Sequence, residues 1–256
     1  MACAPEGRLL RLVRFFGRGL LSLCDRCQAC SGLLPDTDQP HPLCPACAAR
    51  LAPRLGGHCP RCGELGPQAS AAPLVCPDCR RQGRPWDGFA FHGAYEGLLR
   101  QLVLAFKFHG RLGQGRLLAG LVAEAYLRAA ARTGEGAMDP AGPDLLVPVP
   151  LHPRRLAWRG FNQSLELSRV LAARLGRPVV PAALARIRHT TPQSSLPGAA
   201  RQANIAGAFA AAPALVAGRA VLLVDDVMTT GATVDTAARA LRRAGAARVD
   251  VVVAAR

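Results

Sequence analysis

The stretch from Val221 to Thr233 reads VLLVDDVMTTGAT and decides the fold. Its first four residues are apolar with no alternation, which is typical of a strand buried on both faces of a parallel sheet. Two adjacent carboxylates, Asp225 and Asp226, follow, and small hydroxylic residues then surround Gly231. Helix formers run from Val234 to Ala244 and end at Gly245, a residue type that commonly ends helices. The stretch therefore predicts a strand, an acidic pair, a Thr/Gly loop and a helix.

The predicted loop offers groups that suit the phosphate of a sugar phosphate. Backbone N–H groups at a helix N-terminus favour an anion, and the helix dipole adds to that preference. Thr229, Thr230 and Thr233 add hydroxyl donors, and Gly231 lets the backbone approach closely. The carboxylates can accept hydrogen bonds from vicinal ribose hydroxyls, directly or through hydrated Mg²⁺. An ATP-type loop is disfavoured because GxxxxGK[ST] is missing, and the alternative is an ordinary turn with a capping Asp or Thr.

This stretch also resembles the signature by which type I phosphoribosyltransferases bind 5-phosphoribosyl-1-pyrophosphate (PRPP). The resemblance implies an α/β fold, with a parallel sheet flanked by helices. It also implies that Asp225 and Asp226 hold the ribose 2- and 3-hydroxyls, which makes them the candidate catalytic residues. The residues implied to wrap the 5-phosphate are Thr229, Thr230, Gly231, Ala232 and Thr233.

A second apolar run, Leu145–Val149, predicts another buried strand, and a turn rich in proline and arginine follows it. By the same resemblance, this strand end carries the pyrophosphate loop. Guanidinium groups match phosphate oxygens in bidentate pairs, although any one arginine could equally be a solvated surface residue. The residues predicted to bind the diphosphate are His152, Arg154, Arg155 and Arg159.

Lys107 lies near the end of a predicted amphipathic helix, Gly97–Arg111, and is the single lysine among 32 basic residues. In a chain that otherwise uses arginine throughout, this lysine indicates a place where arginine does not fit. A compact ammonium beside a phosphate or pyrophosphate is one reason, and chance is the alternative. We therefore include Lys107 among the predicted PRPP-binding residues.

Eight cysteines form four CxxC pairs, arranged as two similar halves with 13 residues between the pairs of each half. Each CxxC can supply two thiolates to a tetrahedral Zn²⁺, and the second pair completes four ligands. The segment has few apolar residues, so metal binding would supply much of its folding free energy. We expect two structural zinc ribbons, with disulfides as the alternative, and Cys24, His41 and His58 leave the ligand identity open. The predicted ligands are Cys27, Cys30, Cys44 and Cys47, then Cys59, Cys62, Cys76 and Cys79.

Three regions follow from these patterns: residues 1–23, a double zinc ribbon at 24–82 and a phosphoribosyltransferase-like domain at 86–256. Arginines at helical spacing opposite apolar residues predict an amphipathic helix in the first region. That helix either packs on its own domain or lies on a membrane or nucleic acid. A polar loop from 188 to 203 is expected to close over a substrate or simply to be mobile. The residues of interest in or beside it are Gln193, Arg201 and Asn204.

The overall composition limits the classes of function. The 256 residues carry a formal net charge of +15, which favours an anionic partner. However, 31 of the 32 basic residues are arginine in a chain rich in Ala, Gly and Pro, which indicates coding bias. Metal-bound thiolates would also remove positive charge. No apolar run approaches the roughly 20 residues that cross a bilayer, and no secretory signal pattern is present, so we expect a cytoplasmic protein.

Nearly the whole chain resembles the ComF family of competence-associated phosphoribosyltransferase-like proteins. The resemblance rests on the paired cysteine knuckles and on FKFHG, VPVPLHPRRLAWRGFNQS, the RxRxTxxQxxL…RxxNxxGAF segment and VLLVDDVMTTGAT. It implies a role in DNA uptake during natural transformation or in nucleotide-related metabolism.

Two functions remain open at this point. The first is an enzyme that uses PRPP and Mg²⁺ and releases pyrophosphate, which needs positioning and charge stabilisation rather than a catalytic triad. The second is a DNA-uptake component that binds single-stranded DNA or partner proteins, with PRPP as a regulatory ligand. The ribbons contain no aromatic residue between Cys24 and Cys79, which argues against base stacking by the ribbons alone. The ribbons could instead only dock proteins or form a homodimer.

Overall fold

The computed structural model describes residues 26–34, 42–109, 112–188 and 205–256. The chain divides into two compact units, Met1–Ala49 and Arg50–Arg256. The first cysteine cluster belongs to the first unit, and the second cluster belongs to the same unit as the sheet. Several predictions lie outside the described residues, namely the 1–23 helix, Cys24, His41, Gln193, Arg201 and Asn204. The predicted region boundaries at 23, 82 and 86 stay predictions.

The strands are β1 (Gly88–Gly93), β2 (Leu145–Pro148), β3 (Leu184–Arg186), β4 (Phe209–Ala211), β5 (Ala220–Val227) and β6 (Arg248–Ala255). The helices are α1 (Pro45–Arg50), α2 (Pro77–Gln82), α3 (Gly97–His109), α4 (Leu112–Ala130), α5 (Pro153–Arg159), α6 (Gln163–Leu175), α7 (Pro213–Val216) and α8 (Ala232–Arg243). Among the described residues, no helix is both long enough and apolar enough to cross a membrane.

The central sheet has the strand order β1-β6-β5-β2, and every pairing in it is parallel. Leu222 of β5 pairs with Leu146 of β2 on one side and with Asp250 of β6 on the other. The apolar runs of β2 and β5 are buried throughout, because helices cover both faces of the sheet. The predicted α/β class with a parallel sheet is therefore confirmed.

Two layers flank this sheet. Helices α4 and α6 cover one face, with α3 packed against α4, and α8 covers the other face together with the antiparallel pair β3 and β4. The core on the α8 side includes Leu223, Val251 and Leu241, and the second cysteine knuckle packs into that same core. The indole of Trp86, which immediately precedes β1, donates to Arg61 O at 2.7 Å and fastens the knuckle to the sheet.

The helix after the acidic pair begins two residues earlier than the sequence predicts. Gly231 has a φ of 81°, and this left-handed conformation turns the chain from the strand into α8 at Ala232. Ala232 and Thr233 are consequently the first helical residues rather than loop residues. The strand itself extends to Val227, so that the two aspartates lie at the carboxyl end of β5.

Candidate functional site

The acidic pair lies at the carboxyl end of β5 and contacts two neighbouring helices. Asp226 is buried, and the ammonium Nζ of Lys107 on α3 lies 3.0 Å from its Oδ1. Asp225 is partly exposed, and its Oδ1 accepts from Ser164 Oγ on α6 and from the amide of Asp226, both at 2.9 Å. Each carboxylate thus has a partner from a different helix, and Lys107 contacts a carboxylate of the site.

Charge and burial act in opposite directions on these groups. Burial and then the charge of Asp226 raise the pKa of Asp225 to about 7, although the Ser164 hydroxyl favours the ionised form. For Lys107, burial disfavours the ammonium, but the adjacent Asp226 carboxylate outweighs burial and raises the pKa of Lys107. The site therefore holds a stable Lys107–Asp226 ion pair beside a carboxyl group that titrates near neutrality.

The predicted phosphate loop runs from β5 into α8. No side chain caps the N-terminus of α8 through Gly231, and the nearest hydroxyl contact, from Ala232 N to Thr230 Oγ1, is 3.5 Å long. Thr229 and Thr230 are exposed, and Thr233 is partly exposed. Because the first amides of a helix have no intrahelical partner, this end of α8 offers donors to an anion.

The arginine-rich turn follows β2 and forms the short helix α5. Its N-cap is His152, whose Nδ1 accepts from the amide of Arg154 at 3.3 Å, and the helix ends at Gly160 with a φ of 82°. Arg159 reaches across to α6, where its Nη1 donates to Gln163 Oε1 at 2.9 Å. Arg155 is partly buried in the same turn.

Burial disfavours the charged forms of these arginines. Burial lowers the pKa of Arg155, and the charge of Arg159 adds to this effect. Burial also lowers the pKa of Arg159, although the charge of Asp226 opposes the shift. The same holds for Arg186 on β3, whose pKa falls to about 10 through burial and then the charge of Arg155. A polyanion bound among these guanidinium groups would relieve their repulsion.

Four further residues of this region are not predicted from the sequence. Ser164 and Arg186 carry no pattern of their own, and only the packing of α6 and β3 brings them near Asp225. The other two form an exposed aromatic pair, in which Phe108 and Trp158 are 54% and 72% exposed, with ring centroids 6.3 Å apart. The one indication of this pair in the sequence is that each aromatic residue directly neighbours a predicted site residue.

The predicted cysteine ligands gather into two groups of four. Within each group the ligand atoms all lie within 4.8 Å of one another. A tetrahedral zinc with Zn–S bonds of about 2.3 Å places sulfurs roughly 3.8 Å apart. The Sγ atoms of Cys30 and Cys44 are 3.9 Å apart, and those of Cys62 and Cys76 are 3.7 Å apart. These thiols therefore fit a zinc ion, and all eight of these cysteines are free rather than paired in disulfides.

Local geometry repeats between the two groups. The residue four positions after the first cysteine has positive φ in both, Ser31 with 63° and Gly63 with 68°. A short helix follows the third cysteine in each group, α1 in one and α2 in the other. His58 belongs to neither group of clustered ligand atoms, and its Nδ1 lies 3.1 Å from Gly56 O. The predicted repeat of a knuckle pair is thus present in the backbone.

Neighbouring groups shift the pKa values of the thiols in the second cluster in different directions. A hydrogen bond with Cys62 lowers the pKa of Cys59 to about 4, so one thiolate forms readily. Burial raises the pKa of Cys79, but the guanidinium Nε of Arg84 donates to its Sγ at 3.2 Å and opposes that effect. A nearby guanidinium is the kind of outer partner that supports a coordinated thiolate.

The structure brings most of the predicted residues to one edge of the sheet. Asp225, Asp226 and Lys107 are in direct contact, and the α5 turn and the α8 loop follow the adjacent strands β2 and β5. The individual ligand roles of these residues stay predictions. The same is true of Lys107 as a phosphate ligand, since its ammonium contacts Asp226 here.

Known proteins resemble this chain over most of its length. Residues 162–256 match the family model described as phosphoribosyl transferase domain. The chain is 32% identical over 228 residues to Competence protein F of Haemophilus influenzae, covering 88% of this chain and 94% of that protein. It is 36% identical over 209 residues to the DNA utilization protein YhgH of Salmonella typhimurium, covering 82% and 88% respectively.

Among solved structures, the chain is similar to the glutamine PRPP amidotransferase of B. subtilis complexed with ADP and GMP. The TM-score is 0.34 with 22% identity, and the match covers 54% of this chain and 25% of that chain. A similarity of this size supports no further argument.

Proposed function

Because this chain belongs to the ComF family and carries a phosphoribosyltransferase-type domain, we propose that it binds PRPP and transfers its phosphoribosyl group with release of pyrophosphate. One observation carries the proposal. Strands β2 and β5 are neighbours, with Leu145 paired to Val221 and Pro148 paired to Val224. The arginine turn and the acidic pair are therefore adjacent at the carboxyl edge of the sheet, where ligands bind in open α/β folds.

Each part of PRPP has a chemically matched group at this edge. Asp225 and Asp226 would accept hydrogen bonds from the ribose 2- and 3-hydroxyls. The uncapped start of α8 would bind the 5-phosphate through backbone amides and the hydroxyls of Thr229, Thr230 and Thr233. The guanidinium groups of the α5 turn would bind the diphosphate, and an anion there would offset the cost of burying these charges.

The reaction would break the bond between ribose C1 and the diphosphate oxygen. The electron pair leaves with pyrophosphate, and the nucleophile of the acceptor forms the new bond to C1. The protein contributes by holding the ribose in place and by stabilising the charge that develops on the leaving group, chiefly through Arg154, Arg155 and Arg159. Mg²⁺ bound with PRPP would neutralise diphosphate charge, and the carboxylate oxygens of Asp225 and Asp226 are ligands of the kind it prefers.

Calorimetry with PRPP and Mg²⁺ tests the binding site. We expect Asp225→Asn/Asp226→Asn to weaken PRPP binding at least about tenfold, because two charged acceptors are lost. Asp78→Asn is the control, since Asp78 is an exposed carboxylate paired with Arg81 on α2. Equal affinity of the double variant and the wild type would mean that the site is placed wrongly. Pyrophosphate release, measured with a range of bases and amines as acceptors, then tests turnover. If no acceptor gives release, the transferase activity is refuted and only PRPP binding remains.

We propose two structural zinc ions, one in each four-cysteine cluster, and a cytoplasmic location. The donor sets fit zinc, and eight free thiols suit a reducing compartment. Metal analysis of protein purified without added zinc should give about two equivalents per chain if both clusters are filled. A single equivalent would limit the assignment to one cluster.

A second candidate function, binding of single-stranded nucleic acid, is favoured by two surface features. Arg84, Arg239, Arg242 and Arg243 line a cavity of about 310 Å³. The exposed Phe108–Trp158 pair supplies a stacking surface that the ribbons lack, and the Arg159 guanidinium lies 5.3 Å from the Phe108 ring centroid.

Fluorescence anisotropy with a labelled single-stranded oligonucleotide, measured at several salt concentrations, tests this function. Contacts between phosphates and several arginines should make the affinity fall steeply as salt rises. Arg243→Ala should reduce the salt slope, and Trp158→Ala should lower the affinity with little change of slope. A flat salt response would exclude the phosphate-contact mode.

A further inference from the structure

The side chain of Arg256 connects the second cysteine cluster with the predicted phosphate loop. On one side, its Nε donates to Cys62 O at 2.9 Å and its Nη2 pairs with the Glu64 carboxylate. On the other side, its Nη1 donates to Thr229 O and, at 3.4 Å, to Met228 O. The side chain is only 13% exposed, so these acceptors replace most of its hydration.

The backbone of Arg256 is held in place by the sheet. Its amide donates to Gly93 O at 3.0 Å, and its carbonyl accepts from Tyr95 N at 2.8 Å. One residue earlier, Ala255 O accepts from Met228 N at 3.0 Å. The guanidinium therefore extends from a fixed point, and its two sets of acceptors must keep a fixed separation.

The cysteine knuckle packs directly against this arginine. A Cβ atom at Gly63 would lie 3.0 Å from Arg256 Cγ and 2.6 Å from the ring of Phe89. The turn is closed by two hydrogen bonds of 2.8 Å, from Cys59 N to Glu64 O and from Gly63 N to Cys59 O. A metal bound by Cys59 and Cys62 would hold the turn in the shape that presents Cys62 O to the guanidinium.

We propose that Arg256 is a positioning residue through which the second cysteine cluster supports the phosphate loop. Its planar, rigid donor fork cannot satisfy both sides if either one moves. Metal occupancy of the cluster and affinity for a sugar 5-phosphate are therefore coupled, and by linkage each ligand strengthens binding of the other by the same factor. The inference rests on the proposed function, because it presumes that the loop before α8 binds the 5-phosphate.

Two probes separate positioning from general stability. Ribose 5-phosphate would use the acidic pair and the phosphate loop, whereas pyrophosphate would use the arginine turn of α5. We expect Arg256→Ala to weaken ribose 5-phosphate binding about tenfold in calorimetry and to leave pyrophosphate binding within about twofold. Arg248→Ala is the matched control, because Arg248 lies at the opposite end of β6 and contacts Asp250 and Ala137 O. Neither affinity should change in that variant.

The reciprocal measurement follows zinc. In a Cys27→Ser/Cys30→Ser background, where only the second cluster keeps four thiols, zinc release to a chromogenic chelator should slow several-fold when ribose 5-phosphate is added. Arg256→Ala should abolish that slowing. Should Arg256→Ala fold poorly, Arg256→Lys keeps the charge but reaches one set of acceptors, and it should show the same selective loss in smaller degree.

The outcomes separate a failure of the role of Arg256 from a failure of the proposed function. If the wild type binds neither PRPP nor ribose 5-phosphate, the proposed function fails. If the wild type binds both but Arg256→Ala weakens the two probes equally or not at all, only the role of Arg256 is refuted. A zinc release rate that does not change when ribose 5-phosphate is added would also refute the coupling.

Discussion

In the absence of ligand, replacing Asp225 with asparagine should make the protein more stable than the wild type, and the difference should grow as the pH rises. Burial and the Asp226 charge raise the pKa of Asp225 to about 7 in the folded chain, whereas an unfolded aspartate ionises near about 3.9. Between these two pKa values the folded state binds more protons than the unfolded state, so the wild type loses stability with rising pH. Asparagine keeps an oxygen that can accept from Ser164 and does not ionise.

The size of this effect follows from linkage. With one pKa unit worth about 1.4 kcal/mol, ionisation of Asp225 removes about 2 to 3 kcal/mol from the wild type between pH 5 and pH 8. The free energy of unfolding of Asp225→Asn, relative to the wild type, should therefore increase by that amount over the same range. PRPP affinity should fall in the same variant, because the group that destabilises the free site is the one proposed to bind the ribose.

Urea unfolding of both proteins with zinc present, at pH 5 and at pH 8, measures the difference. Comparison at each pH cancels the loss of stability that both proteins suffer when thiolates are protonated. Asp78→Asn is the control and should shift the unfolding free energy by less than about 1 kcal/mol at either pH, because its ion pair is exposed. Ser164→Ala should raise the pH at which Asp225 ionises and stability falls, because the lost hydroxyl favours the ionised carboxylate. An Asp225→Asn difference that is the same at both pH values would refute the reasoning.

Three further changes test other parts of the site. Lys107→Met should destabilise the protein by about 3 kcal/mol in thermal unfolding, because it leaves the buried Asp226 carboxylate without its cation. Adding Asp226→Asn to that variant should restore most of the lost stability. Gly231→Ala should cost about 1–2 kcal/mol in urea unfolding through its φ of 81° alone, since the nearest atom to a new Cβ is 3.6 Å away. Cys79→Ser should lower zinc content from about two equivalents per chain to one in metal analysis.

Each of these expectations has a clear counter-result. A Lys107→Met protein as stable as the wild type would show that the ion pair contributes nothing. A Gly231→Ala protein of unchanged stability would mean that the turn can adopt another conformation. Two zinc equivalents in Cys79→Ser would place the metal outside the four-cysteine cluster.

Local patterns in the sequence determined the elements of this protein and the types of residue at its site. An apolar run without alternation identified β5, and the positions directly after it identified Asp225 and Asp226, because strand burial and chain adjacency are properties of consecutive residues. The CxxC spacing likewise identified both four-cysteine clusters, since a knuckle pair is assembled from short turns at set spacings. The early start of α8 escaped prediction, because it depends on the backbone conformation of Gly231.

Only the tertiary structure decided which distant residues meet. Ser164 contacts Asp225 across 61 positions of the chain, and Arg256 contacts the Cys62 carbonyl across 194 positions. Lys107, which the sequence predicted as a phosphate ligand, contacts the Asp226 carboxylate across 119 positions of the chain, from α3 to the carboxyl end of β5. Such contacts depend on how helices and a knuckle pack against the sheet, and side-chain burial there sets the charges and pKa values of the site. No periodicity or spacing in the sequence contains that information.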